Sequence, residues 1–398
     1  MGEGPTRWYD VGYSDAADGE KAGREAATAA LTGPDPGLVV ILSQVRDDLT
    51  AVAAGVRAAV AAYPGSADTV IVGTSTSGQY TEGTYGTSSL VVAAYGGPGL
   101  EVHYRVAEVG DGSSRDAAAA VAECATDLTL PHQALLMFFD SLGKEQQDLI
   151  RGAYSVLGAA TPLVGGSSGD DLTYSGTYQF AGGRDHVDVL SGAVVGVGLG
   201  CETPLGVGIA HGWRLSGAPM SVTRSDGGHV YELDDRPALD VYSERLGLDA
   251  ELAREPAAWT RAVTRHPLGL NRRGGEDIRV IHGADPDERS IVCLADVPQG
   301  GLVWLLETDE DALVAAAGAS CQQALTMLEG TQPVGLLAFD CAVRKLMLGP
   351  AGVERENAAL NVAAAAVPYA GWYTNGEVAR VRGSQGLHHL TMVTLALT

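Results

Sequence analysis

The sequence predicts a mixed α/β (α+β) fold in two domains, with mixed β-sheets flanked by helices, and three observations predict it. A β-α-β unit that ends in a Gly-rich polar turn occurs three times, so the chain is built from repeated β-α-β-turn units. The turns lead into further β-branched runs instead of helices, which breaks the steady alternation of a doubly wound sheet. The chain has 398 residues, 45% hydrophobic and 19% charged, more than one ordinary core uses and far from a disordered composition.

The elements follow in order. The first dozen residues carry no pattern, and 16–31 is an Ala-rich helix closed by the breaker cluster Gly33-Pro34-Asp35-Pro36-Gly37. The apolar run 38–42 is a buried strand, 49–63 a helix ended by Pro64-Gly65, and 69–72 the next strand. The unit recurs as strand 134–139, helix 144–158 and strand 162–164, then as strand 334–339, helix 352–366 and strand 367–370. The three turns read GTSTSGQ (73–79), GGSSGD (165–170) and GWYTNGE (371–377). Their glycines allow positive φ and close approach to the backbone, while Ser, Thr and acidic side chains such as Asp170 offer hydrogen bonds. Partly alternating β-branched runs at 88–95, 101–109, 186–200 and 389–397 read as strands.

Residues 1–36 form a lead-in and helix, 37–235 a first domain and 236–398 a second. The break falls in the Gly/Asp-rich stretch Ser225–Asp235, with a new helix from Pro237 to Leu246.

The net charge of −23, from 49 acidic and 26 basic residues, repels phosphate backbones and anionic lipid headgroups. Nucleic acid and membrane partners are therefore not expected. Five scattered cysteines without a C-x-x-C pair fit a reducing compartment, the N-terminus has no secretory pattern, and no apolar run spans a bilayer. A cytoplasmic location is expected.

Several short motifs bear on chemistry. Gly165-Gly166-Ser167-Ser168-Gly169 fits G-x-S-x-G, but turn and strand residues follow Ser167 where a nucleophile elbow needs a helix. Gly196, Gly198 and Gly200 sit in a strand with no helix behind them to receive a pyrophosphate, so they read as close strand packing. The nine histidines show no ligand spacing, and no metal or cofactor is expected. Cys341 and Arg344 follow a buried strand, where open α/β sheets place ligands. Arg344 has the bidentate fork a carboxylate fits. His211, in His211-Gly212-Trp213, is a candidate pocket donor, and Trp213 reads as core.

Several separated segments resemble the FIST N and FIST C domains in their usual order. VIVGTSTSGQ (70–79), PLVGGSSGDDL (162–172), AHGW (210–213) and VYELDDRPALDVY (230–242) resemble the first. HPLGL (266–270), DVPQGGLVWLL (296–306), FDCAVRKLMLG (339–349), GWYTNGEVA (371–379) and HHLT (388–391) resemble the second. Cys341, Arg344, Gly371, Tyr373, Gly376 and Glu377 fall on the family pattern. Asp340 stands where the family tends to have Ser, Val343 where it has Gly, and Trp372 where it has Phe. The resemblance implies an intracellular sensory module of signal transduction with small ligands such as amino acids. The chain carries no recognisable kinase, cyclase, methyl-accepting or DNA-binding segment, so it would act through a separate output partner or as a stand-alone ligand binder.

The expected function is therefore ligand sensing without catalysis. Arg344 would clamp a ligand carboxylate and Glu377 would accept from its ammonium group. Tyr373 would form one wall, with Cys341, Thr374, His211, Ser167 and Asp170 as further contacts. The alternatives are a hydrolase or transferase using Cys341 or Ser167, and a ligand-free interaction scaffold.

Overall fold

The computed structural model describes residues 6–46, 48–85, 90–110, 112–143, 146–272, 275–381 and 386–398. Expected elements at 1–5, 88–89 and 144–145 lie outside these residues. The class is the one the sequence predicts, helices against several mixed sheets. The chain forms two compact units. One comprises Met1–His211, Val314–Leu387 and Thr391–Thr398, the other Gly212–Leu313 and His388–Leu390.

The larger unit contains three sheets, each built around one repeat. Strand Pro36–Gln44 lies parallel to Val70–Thr76, His132–Phe139 to Leu163–Ser167, and Gly335–Cys341 to Tyr369–Thr374. Each first strand is flanked on its other side by an antiparallel strand: Leu90–Gly96, Ala193–Cys201 and Met392–Leu397 respectively. Alternation along the strands divides their side chains between two environments. Leu38, Val40, Leu136, Phe138, Leu337 and Phe339 point into one core shared by all three sheets. Val39 and Ile41 meet helices Gly19–Ala30 and Leu49–Ala62, and Leu135 and Met137 meet helices Ser114–Ala122 and Gln146–Leu157.

The polar turns carry the chain from sheet to sheet. After Val70–Thr76, the turn Ser77-Gly78 delivers Gln79–Thr81 to the third sheet, antiparallel to Tyr369–Thr374. After Leu163–Ser167, Gln179–Gly183 joins the first sheet beside Val70–Thr76. After Tyr369–Thr374, the turn 375–376 delivers Glu377–Arg380 to the second sheet beside Leu163–Ser167. Each repeat thus donates a strand to another, and the exchange closes into a cycle.

Three readings need correction. The lead-in contains a strand, Trp8–Ser14, antiparallel to Leu90–Gly96; its burial alternates weakly because it lies at the sheet edge. The second strands of the repeats extend through most of the expected turn segments, to Thr76, Ser167 and Thr374, because each gains a donated neighbour that satisfies its polar backbone. The helix expected at 352–366 follows Gly349, whose non-helical backbone (φ 62°) divides Ala342–Ala364 in two, and it is preceded by a helical stretch from Ala342 that is not among the expected elements.

The glycines in these strands are required by packing. A Cβ on Gly73 would lie 2.1 Å from the Ile41 carbonyl oxygen, and one on Gly165 would lie 2.1 Å from that of Met137. Gly196 and Gly198 similarly admit Val121 and the Cys124 carbonyl, which bears out the close-packing reading of the G-x-G-x-G strand.

The smaller unit centres on the long strand Arg214–Asp226, which pairs with Leu302–Glu307 along one half and His229–Leu233 along the other, with a break in register on each side. The stretch Ser225–Asp235 is the hairpin joining Arg214–Asp226 to His229–Leu233 and lies inside this unit. Helices Ala238–Leu246 and Pro256–Val263 cover its core around Tyr242 and Trp259. Among the described residues no helix is long and apolar enough to cross a membrane.

Candidate ligand site at the turn junction

The three turns interlock. Ser77 N–H donates to the Tyr373 carbonyl (3.0 Å) and Tyr373 N–H to that of Gly78 (2.8 Å). Gly169 N–H donates to the Ser75 carbonyl (2.8 Å), Ser75 N–H to that of Tyr178 (2.8 Å), and Ser167 N–H to that of Gly376 (2.9 Å). Side chains reinforce the seam: Thr74 donates to Ser168 Oγ at 2.7 Å and Ser75 to the Gly169 carbonyl at 2.8 Å.

One loop at this junction is strained around a carboxylate. Asp171, Leu172 and Tyr174 have φ of 57°, 62° and 53°, a region that costs an L-residue on the order of 1 kcal/mol each. Their course folds the loop over Asp170, whose Oδ2 accepts from Ser175 N–H (2.6 Å), the Thr173 hydroxyl (2.9 Å) and Gly176 N–H (3.3 Å). Burial pushes this carboxyl upward, but those donors outweigh it and hold it below its ordinary range. Asp170 Oδ1 is buried and has no hydrogen-bond partner among the described residues; the same is true of Ser167 Oγ and the Tyr373 hydroxyl. Beside them Lys345 reaches over the turn, its Nζ donating to the Ser77 carbonyl (2.6 Å) and Asp171 Oδ1 (3.0 Å), 5.4 Å above the Tyr373 ring.

The other expected contacts are occupied within the protein. Arg344 is fully buried; its Nε donates to Asp340 Oδ1 at 2.8 Å, its Nη2 to Glu356, and its Nη1 to the carbonyl of His211 at 3.2 Å. Asp340, the departure from the family pattern, thus supplies one of the two carboxylates. Burial raises Glu356 well above the carboxylate range, and the charge on Asp340 adds to it; Asp340 itself is raised by burial against the pull of Arg344. Asp340 Oδ2 and Glu356 Oε2 are buried and have no hydrogen-bond partner among the described residues. Glu377 does not pair with Arg344. It accepts from Thr374 Oγ1 (2.7 Å), Thr391 Oγ1 (3.0 Å) and Thr391 N–H (3.3 Å), and burial raises it to about 8 against those bonds. Cys341 is buried at the N-cap of helix Ala342–Ala364. The structure therefore gathers Ser167, Asp170, Tyr373, Thr374, Glu377, Cys341 and Arg344 into one unit, with His211 contributing its carbonyl.

Sequence reasoning missed Lys345, Asp340 and Glu356. Lys345 follows Arg344 directly and was legible as a second cation after the strand. Glu356 lies twelve residues from Arg344, beyond the break at Gly349.

The FIST N domain matches residues 37–236, and the FIST C domain matches residues 238–380. The uncharacterized protein Rv0628c of Mycobacterium tuberculosis is 30% identical over 395 residues, covering 96% of this chain and 97% of the relative. The uncharacterized protein Mb0898c of Mycobacterium bovis is 30% identical over 241 residues, 58% of this chain and 59% of the relative. The uncharacterized protein MJ1623 of Methanocaldococcus jannaschii is 28% identical over 183 residues, 44% of this chain and 34% of the relative.

Proposed function

The chain belongs to the FIST family, whose domains are sensory and implicated in signal transduction, and we propose that it senses a small zwitterion of the amino-acid class at the turn junction. The supporting observation is Asp170, which spends three donors on one buried oxygen and leaves the other bare within a strained loop. In this reading Asp170 Oδ1 and the Ser167 hydroxyl receive the ligand ammonium group. Lys345 exchanges its exposed partner Asp171 for the ligand carboxylate. The Tyr373 hydroxyl completes the contact.

The assignment moves the two charged ends away from Arg344 and Glu377. Arg344 already holds two carboxylates and Glu377 already accepts three bonds, so each braces the site from behind. A cytoplasmic setting and a separate output partner belong to the same proposal. The hydrolase reading has less support: Ser167 Oγ is buried and has no partner among the described residues that could act as a base.

Thermal-shift titration of the twenty amino acids tests the site. A ligand bound only by the native state adds about 2.7 kcal/mol at a hundred times its Kd. At least one amino acid should raise the melting temperature of the wild type and fail to do so in Asp170→Asn and Lys345→Gln. A flat response across the whole set, or a shift untouched by both substitutions, overturns the assignment.

A further inference from the structure

A second feature of the larger unit adjoins the turn junction, where Ser168 N–H donates to the Phe139 carbonyl (2.7 Å). A cavity of about 420 Å³ opens at the carboxyl end of strand His132–Phe139, between the starts of helices Ser114–Ala122 and Gln146–Leu157. Such a volume is within the range of small-molecule sites, and strand carboxyl ends are where open sheets place them.

Its lining has two chemical halves. Phe139, Leu149 and Val194 give an apolar wall. Asp140 and Gln146 add oxygen to the lining. Asp140 Oδ1 is held by Leu142 N–H (2.8 Å) and the Thr177 hydroxyl (2.5 Å), which leaves Oδ2 on the side of the lining residue Gly192. Gln146 donates from Nε2 to the Ser141 carbonyl at 3.0 Å, a bond that fixes which end of the amide is which. Its Oε1 is buried and has no partner among the described residues.

Two helix starts would ordinarily favour an anion. Here Asp116 and Asp148 occupy the first turns and offset that half-charge, while Asp140 adds a full negative charge. The protein's net charge of −23 acts in the same direction. Asp140 Oδ2 and Gln146 Oε1 both accept from a donor-rich ligand, and the apolar wall asks for a short hydrocarbon body.

We infer that this cavity is a second ligand site, taking a small amphipathic primary ammonium compound. Its nitrogen lies against Asp140 and Gln146, and its carbon body against Phe139, Leu149 and Val194. The site uses different side chains from the proposed zwitterion site but adjoins it: Phe139 pairs with Ser167, and Thr177 and the Asn375–Ser141 hydrogen bond (3.2 Å) run from its rim to the junction loops.

Isothermal titration calorimetry of the full chain with isobutylammonium, and with isobutyrate as the anionic control, tests it. Gly143 is exposed, has no left-handed φ, and among the described residues a Cβ there would meet only the Asp140 carbonyl at 3.7 Å, so Gly143→Leu can fill the cavity without backbone strain. The wild type should bind isobutylammonium saturably and isobutyrate not at all. Gly143→Leu should abolish binding and Gln146→Leu should weaken it roughly tenfold. Circular dichroism of each variant confirms that it is folded. Absence of isobutylammonium binding, preference for isobutyrate, or wild-type affinity in Gly143→Leu overturns the inference. Loss of binding in Asp170→Asn together with retention in Gly143→Leu places the amine at the turn junction and likewise overturns it.

Discussion

Arg344 and Asp340 lie one helical turn apart across the start of helix Ala342–Ala364, joined Nε to Oδ1 at 2.8 Å with both side chains fully buried. Glu356 completes the arrangement on Nη2. A cation so placed braces the fold, because its charge is balanced only by groups inside the same core.

Arg344→Met should therefore cost about 3–5 kcal/mol of stability, the range for leaving buried charged partners uncompensated. Arg344→Lys should also lower the melting temperature, since one ammonium cannot serve Asp340, Glu356 and the His211 carbonyl with the fork geometry of a guanidinium. Chemical denaturation of the variants checks both. Wild-type stability in Arg344→Met would return Arg344 to the ligand.

Glu377 predicts a pH dependence. Its carboxyl is raised by burial to about 8, so the folded state holds this proton more tightly than the unfolded chain does. Its contribution is fully present below the unfolded value near 4.5 and is lost as pH rises toward about 8. Glu377→Gln removes that titration. The stability of the variant relative to wild type should improve from pH 5 to about pH 8 and then level off, measured by urea unfolding at fixed ionic strength. A difference that stays constant over that interval would show that Glu377 is ionised throughout.

Gly165→Ala tests the strand exchange. The added methyl would sit 2.1 Å from the Met137 carbonyl oxygen, at a residue with φ of 146°, so the parallel pair must separate or the chain must shift. Overpacking a rigid interior costs about 1–3 kcal/mol, and a clash with main chain belongs at or above the upper end. Gly158→Ala provides a control, with a positive φ but open space around its Cβ. It should lose only about 1 kcal/mol. Equal losses in the two variants would show that backbone conformation, not strand contact, explains the glycine.

The sequence by itself determined the local units. Short apolar runs bounded by Gly and Pro marked the paired strands of all three repeats, because a strand buried on both faces has no polar side to show. Small polar residues after each second strand marked the crossing points, since only they fit where backbones meet. The separated FIST-like segments were legible in order for the same reason: each is a local string. Tertiary structure alone decided where the crossing strands go. Gln79–Thr81, Gln179–Gly183 and Glu377–Arg380 each join a sheet built from another part of the chain, and hydrogen bonds between main chains leave no trace in residue type. It also decided the partners of the buried charges. Arg344, Glu377 and Asp170 look alike in the sequence as charged residues close to strand ends. Folding gives the first two a full set of internal partners and leaves one oxygen of the third bare, because the number of donors reaching a buried atom depends on which distant segments pack around it.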